Sequence, residues 1–236
     1  MDIDTKPLVK RIIPSAILLL LTKSDKAFCK ALKKAISEAV TPLRVNKEGV
    51  STENLHIVDY EGNSLKNCSA DDKRYIYKMV PMETLAEVIG EDHLYFFAYN
   101  SFGQPYETAK RLNDYIQNVK KETGHDKVNL VPISQGGSIE NALMQLYIDK
   151  GENLADDINR VCYVVPAADG ACILGDIYRY GLIDDPEALY GYMIPSLFDE
   201  ESEYLAYIIN IVLRLFPEAD LNNILDTAVH TLVEDY

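Results

Sequence analysis

Cysteine, positive charge and long apolar runs are all scarce in this chain, and each scarcity excludes a class of protein. The four cysteines (Cys29, Cys68, Cys162 and Cys172) show no CxxC spacing and no pairing with histidine. No zinc site is legible, and a chain of this length does not rely on a disulfide framework. Cys162 sits in an apolar, strand-like run and reads as a buried thiol. No motif calls for a metal or an organic cofactor. Lysine and arginine total 23 against 37 acidic residues, a formal net charge of −14. That balance argues against nucleic acid, which demands clustered positive charge. The apolar run Ile12 to Leu21 falls short of the roughly 20 residues that span a bilayer. Pro14 lies inside it and no small-x-small cleavage site comes after it, so a buried or substrate-facing helix is expected rather than a signal peptide. A cytoplasmic location is the expectation, ahead of secretion or membrane association.

What is present describes an ordinary globular protein, with 47% hydrophobic and 25% charged residues. At 236 residues the chain can bury one sizeable core. From Ser24 to Val40 the pattern is helical: Phe28, Leu32, Ala35, Ile36 and Ala39 share one face, and Lys26, Lys30, Lys33 and Lys34 share a wet one. Leu55-His56-Ile57-Val58 suggests a short strand. Ser69-Ala70-Asp71-Asp72 has the signature of a helix start, and Pro81 ends that helix. Tyr204 to Phe216 is a strongly apolar helical stretch. Residues 1–93 therefore read as a helical cap, 94–170 as an α/β core, and 171–236 as a helical, lid-like region. Repeats and low-complexity linkers are absent.

The core is organised around Lys127 to Gly137. Val128, Leu130, Val131 and Ile133 form a brief apolar strand. Ser134-Gln135-Gly136-Gly137 then turns the chain into a helix with Ile139, Ala142, Leu143 and Leu146 on one face. A serine on a sharp strand-to-helix turn has the layout of a nucleophile elbow. The turn lifts the hydroxyl clear, and the helix start offers backbone N–H groups beside it. Gly136 is expected to let the helix pack closely on the strand end. Pro132 stands where the pattern Gly-x-Ser-x-Gly has its first glycine. The alternatives are a serine that merely caps the helix and an anion site at Gly136-Gly137.

Before this unit, Leu94 to Tyr99 reads as a strand buried on both faces. Pro105 opens a helix carrying Ala109, Leu112, Ile116 and Val119, and Gly124 closes it. After the unit, Arg160 to Pro166 reads as a third buried strand. The result is βαβαβ, hence a parallel sheet, with functional loops at its C-terminal edge: Asn100 to Gly103, Ser134 to Gly137 and Ala167 to Gly170. Asn100, Gln135 and Gly136 are the candidate binding residues on these loops.

Tyr95 to Asn100, then Thr123 to Leu130, leading into Ser134-Gln135-Gly136-Gly137, resembles α/β-hydrolase-fold lipases and esterases. The likeness is to the branch related to lecithin–cholesterol acyltransferase and its bacterial lipase-like relatives, and it covers about Leu94 to Gly170. It implies Ser134 as nucleophile, the Gln135 N–H as an oxyanion donor, and a small-molecule ester or lipid as substrate. In that family the acid and the histidine come after the nucleophile. Beyond Ser134 the single histidine is His230, on a helical stretch from Leu221 to Leu232 whose apolar stripe faces away from it. Asp169, ending the third strand, is the candidate acid and also suits a turn before Gly170. His93 and His125 start their strands, about 20 Å from the serine level. No strand leading to a glycine-containing oxyanion loop precedes Leu94, so a chain truncated at both ends relative to a full hydrolase is expected. Serine ester hydrolysis through Ser134 is one functional expectation. A non-catalytic binding module on the same frame is the other.

Overall fold

The structure, a computed structural model, describes residues 25–46, 48–53, 64–80, 82–168 and 170, with single positions at 14, 207, 210, 214, 223, 226, 227, 230 and 231. The run Ile12 to Leu21 (apart from Pro14), the Leu55 to Val58 segment, Cys172 and most of the Tyr204 to Phe216 stretch lie outside those residues. The chain divides into two compact units, Met1–Leu55 with Ala171–Tyr236, and His56–Gly170.

In the first unit, helix α1 spans Asp25–Val40. Phe28, Leu32 and Ala35 are buried at helical spacing, while Lys26 and Lys34 are exposed. Thr231 is tied to this helix and to the turn after it: its hydroxyl reaches the Ser37 hydroxyl at 3.3 Å, and its carbonyl accepts from Arg44 Nε, past the helix end, at 3.1 Å.

In the second unit, Ser69 accepts from the Asp72 N–H and so caps α2, Ala70–Met79. Helix α3 spans Glu83–Ile89 and ends at Gly90, whose φ of 89° suits glycine. Helix α4 runs Pro105–Thr123, with the Gln104 side chain accepting from Glu107 N–H and left-handed Gly124 stopping it. Strand β1, Val128–Leu130, pairs in parallel with β2, Ile158–Val161, and helix α5, Gly136–Lys150, connects them. A further parallel bridge, Ile133 to Val164, extends the pairing up to the serine turn. Helices and a small parallel sheet thus make this unit mixed α/β.

Ala109 and Ile116 of α4, Leu143, Leu146 and Tyr147 of α5, and Ile158 of β2 form one buried cluster. A carboxylate anchors its lower end. Asp157 accepts from Tyr147 Oη at 2.6 Å and pairs with Lys120. Burial pushes the Asp157 carboxyl up, but hydrogen bonds from Lys120, Tyr147 and Gln117 outweigh it and hold the carboxyl below its ordinary value.

Three expectations change. Leu94 to Tyr99 is not a strand of the parallel sheet: Tyr95 makes one isolated antiparallel bridge, to Ser64. The segment still has two packed faces. Leu94, Phe96 and Ala98 lie against Leu65, Ile76 and Ala86, while Phe97 stacks on Tyr99 and meets Tyr115 of α4 at 5.4 Å. Its apolar run reflects that sandwiching by side chains, not ladder pairing. Arg160 to Pro166 is not buried on both faces: only Val161, packed on the α4–α5 cluster, and Val164 are partly buried, while Arg160, Cys162, Tyr163, Val165 and Pro166 are exposed. Cys162, expected as a buried thiol, is exposed because it follows Val161 out of the α4–α5 contact. On the exposed side Asn159 donates to Asn129 at 2.9 Å.

Candidate active site

Ser134 comes directly after the last paired residue of the β1 line and has a φ of 51°. The left-handed region is unusual for any residue with a Cβ. Here the backbone is pinned on every side. Ser134 N–H donates to Val164 carbonyl at 3.1 Å, and Ser134 carbonyl accepts from Gly137 N–H at 3.1 Å and Ala167 N–H at 2.8 Å. Ile133 carbonyl accepts from Gly136 N–H at 2.8 Å. The side chain is exposed at the top of the turn.

These turn bonds use the Gly136 and Gly137 donors that a helix start ordinarily leaves open. The Gln135 N–H is different: among the described residues it has no hydrogen-bond partner. It lies next to the serine, where an oxyanion donor belongs. Gln135 also anchors a second loop, its Nε2 donating to Ser101 carbonyl at 2.7 Å.

The close approach expected at Gly136 occurs one residue later. A Cβ on Gly136 would meet Pro132 Cβ at an ordinary 3.5 Å, whereas one on Gly137 would meet Pro166 Cβ at 2.9 Å. The reason is that the helix presses on the loop after β2 rather than on the β1 end. Asn100 serves its own turn: its Oδ1 accepts from Phe102 N–H at 3.0 Å and its carbonyl from Gly103 N–H at 2.9 Å.

The loop after β2 is fastened from the helix. Ser138 Oγ donates to Ala167 carbonyl at 2.5 Å, and Asn141 Nδ2 donates to Ala168 carbonyl at 2.9 Å. Three loops, Asn100–Gly103, Ser134–Gly137 and Val165–Ala168, are therefore linked by hydrogen bonds around the serine. Sequence reasoning missed Ser138 and Asn141, which looked like ordinary polar helix residues.

It also missed Glu140, only 2% exposed on α5. Tyr163 Oη donates to its Oε2 at 2.5 Å. That hydrogen bond, with burial second, pushes the Tyr163 phenol up to about 12. The available signal was its place on the buried stripe, three residues before Leu143 and seven before Tyr147, where a carboxylate demands a partner.

Asp169 and His56 lie outside the described residues. His230 belongs to the first unit, is 52% exposed at its side chain, and sits 3.4 Å from Asp226 one turn earlier. His125 precedes β1, at the opposite end of that strand from Ser134. His93 is exposed beside Asp92. Among the described residues no cluster of three or more His, Cys, Asp or Glu could hold a metal, and no helix is long and apolar enough to cross a membrane.

No family model, no curated protein and no solved structure matches this chain.

Proposed function

We propose that this chain is a serine ester hydrolase built on an α/β-hydrolase-type unit and acting on a lipid or other acyl ester. The observation that carries the proposal is the left-handed Ser134 between a parallel strand and a helix, beside a Gln135 N–H that has no partner among the described residues. A serine would not hold that backbone for a cap alone, since capping needs only extended φ and ψ. In the proposed reaction Ser134 Oγ bonds to the acyl carbon while the Gln135 N–H stabilises the oxyanion. The alcohol departs with a proton, and water then releases the acid and restores the hydroxyl.

A second reading is a non-catalytic binding module on the same frame. It is favoured by the Ser134 hydroxyl, which makes no hydrogen bond to any described residue, so no base is seen to activate it.

A fluorophosphonate probe separates the two, because it bonds only to a serine activated by a base and backed by oxyanion donors. Labelling mapped to Ser134 and lost in Ser134→Ala is the expected result; His56→Ala and His230→Ala then identify the base. Folded protein that takes up no probe rejects the hydrolase and leaves the binding module.

A further inference from the structure

Val165 occupies a backbone that its own side chain resists. Its φ is 40°, in the left-handed region, where a β-branched residue is a genuine outlier. Burial does not compensate, for the residue is 77% exposed. Glycine would hold the same turn without strain, yet the chain has valine here.

The position is fixed by its surroundings. Ile133 and Val164 pair in parallel, and the next residue on each line, Ser134 and Val165, is left-handed. Two strained residues thus stand side by side on neighbouring lines of backbone, where adjacent strands run about 5 Å apart. Beyond Val165 the chain is locked by Ala167 N–H on Ser134 carbonyl, by Ser138 and Asn141 on the Ala167 and Ala168 carbonyls, and by Pro166 against the bare Cα of Gly137. Strain that is over-determined and brings no packing marks positions that handle a ligand.

The chemistry of the surroundings defines the ligand. Asn100–Gly103, Ser134–Ser138 and Val165–Ala168 contain no charged residue, and Asp169, which follows directly, is the first charge on these loops. Such a rim carries no cation to fix a phosphate or carboxylate and matches an uncharged, apolar group, its open Gln135 N–H serving the ester oxygen. We infer that Val165 is a specificity-determining residue, its exposed isopropyl group forming the apolar wall that receives the acyl chain of a neutral ester beside Ser134. This rests on Ser134 being the ester-cleaving nucleophile.

The test compares wild type, Val165→Gly and Val165→Ala on p-nitrophenyl acetate and p-nitrophenyl octanoate, with melting temperatures alongside. The octanoate-to-acetate ratio of kcat/KM is expected to fall about fivefold or more in both variants, the scale of lost apolar contacts in a pocket. Val165→Gly should also melt above Val165→Ala, reversing the usual order, because only glycine relaxes the left-handed backbone. A ratio within about twofold of wild type in folded variants overturns the specificity role. The ordinary order, alanine above glycine, overturns the strain behind it. Wild type that cleaves neither ester and takes no fluorophosphonate at Ser134 rejects the nucleophile itself, and the inference falls with it.

Discussion

Gly136 and Gly137 are adjacent and chemically identical, yet they answer to different constraints. Gly137→Ala must displace Pro166, a ring in a locked loop, and should cost about 1–3 kcal/mol. Gly136→Ala has ordinary room and should be neutral to about 1 kcal/mol stabilising, since alanine favours helix. Urea denaturation of the two variants checks the contrast; equal losses would contradict the geometry. Tyr163 gives a pH signature. Its phenol is raised from 10.0 to about 12 in the folded protein, chiefly by the Glu140 hydrogen bond. A raised value means the protonated form is favoured by folding, so the contribution is whole below pH 10 and is lost as pH climbs through about 12. Tyr163→Phe should flatten the fall in stability across that window, measured as melting temperature against pH.

At the scale of elements, the lower end of the β1–α5–β2 unit is held by Asp157, Lys120 and Tyr147, which bring together α4, α5 and the entry to β2. Asp157 has a lowered folded value, so its contribution is present above 3.8 and disappears as pH falls below it. Asp157→Asn should cost roughly 1.5–3 kcal/mol at neutral pH, the worth of hydrogen bonds to a charged group, and should remove that acid-side loss. Denaturation at pH 7 and pH 3 tests both parts. Elements set by local rules were legible in the sequence: the Phe28, Leu32 and Ala35 stripe, Pro105 opening α4, Gly124 closing it, and the Ser134 turn. Leu94 to Tyr99 was not, because an apolar run reports burial and leaves the hydrogen-bonding partner open. Glu140 was not, because its partner Tyr163 stands 23 residues away and on another element. The site divided in the same way. Ser134 and Gln135 could be read from a turn motif, whereas the hold of Ser138, Asn141 and Gly137 on the loop after β2 exists only in three dimensions.

For the whole molecule, the formal charge of −14 sets a uniform self-repulsion that favours expansion. Raising ionic strength from about 0.01 M to about 0.15 M shortens the Debye length from about 30 Å to about 8 Å and should raise the melting temperature. A flat response would show the acidic residues to be locally compensated. A single proton reports on the state of the site. The Ala167 amide lies in a loop, where exchange with solvent is ordinarily fast, but it is held by the carbonyl of Ser134. To reach water it must part from the serine turn. In deuterium it should therefore keep time with the opening of β1 and α5 rather than with a surface loop. The Ala167 amide becomes a clock for the Ser134 turn, readable without substrate.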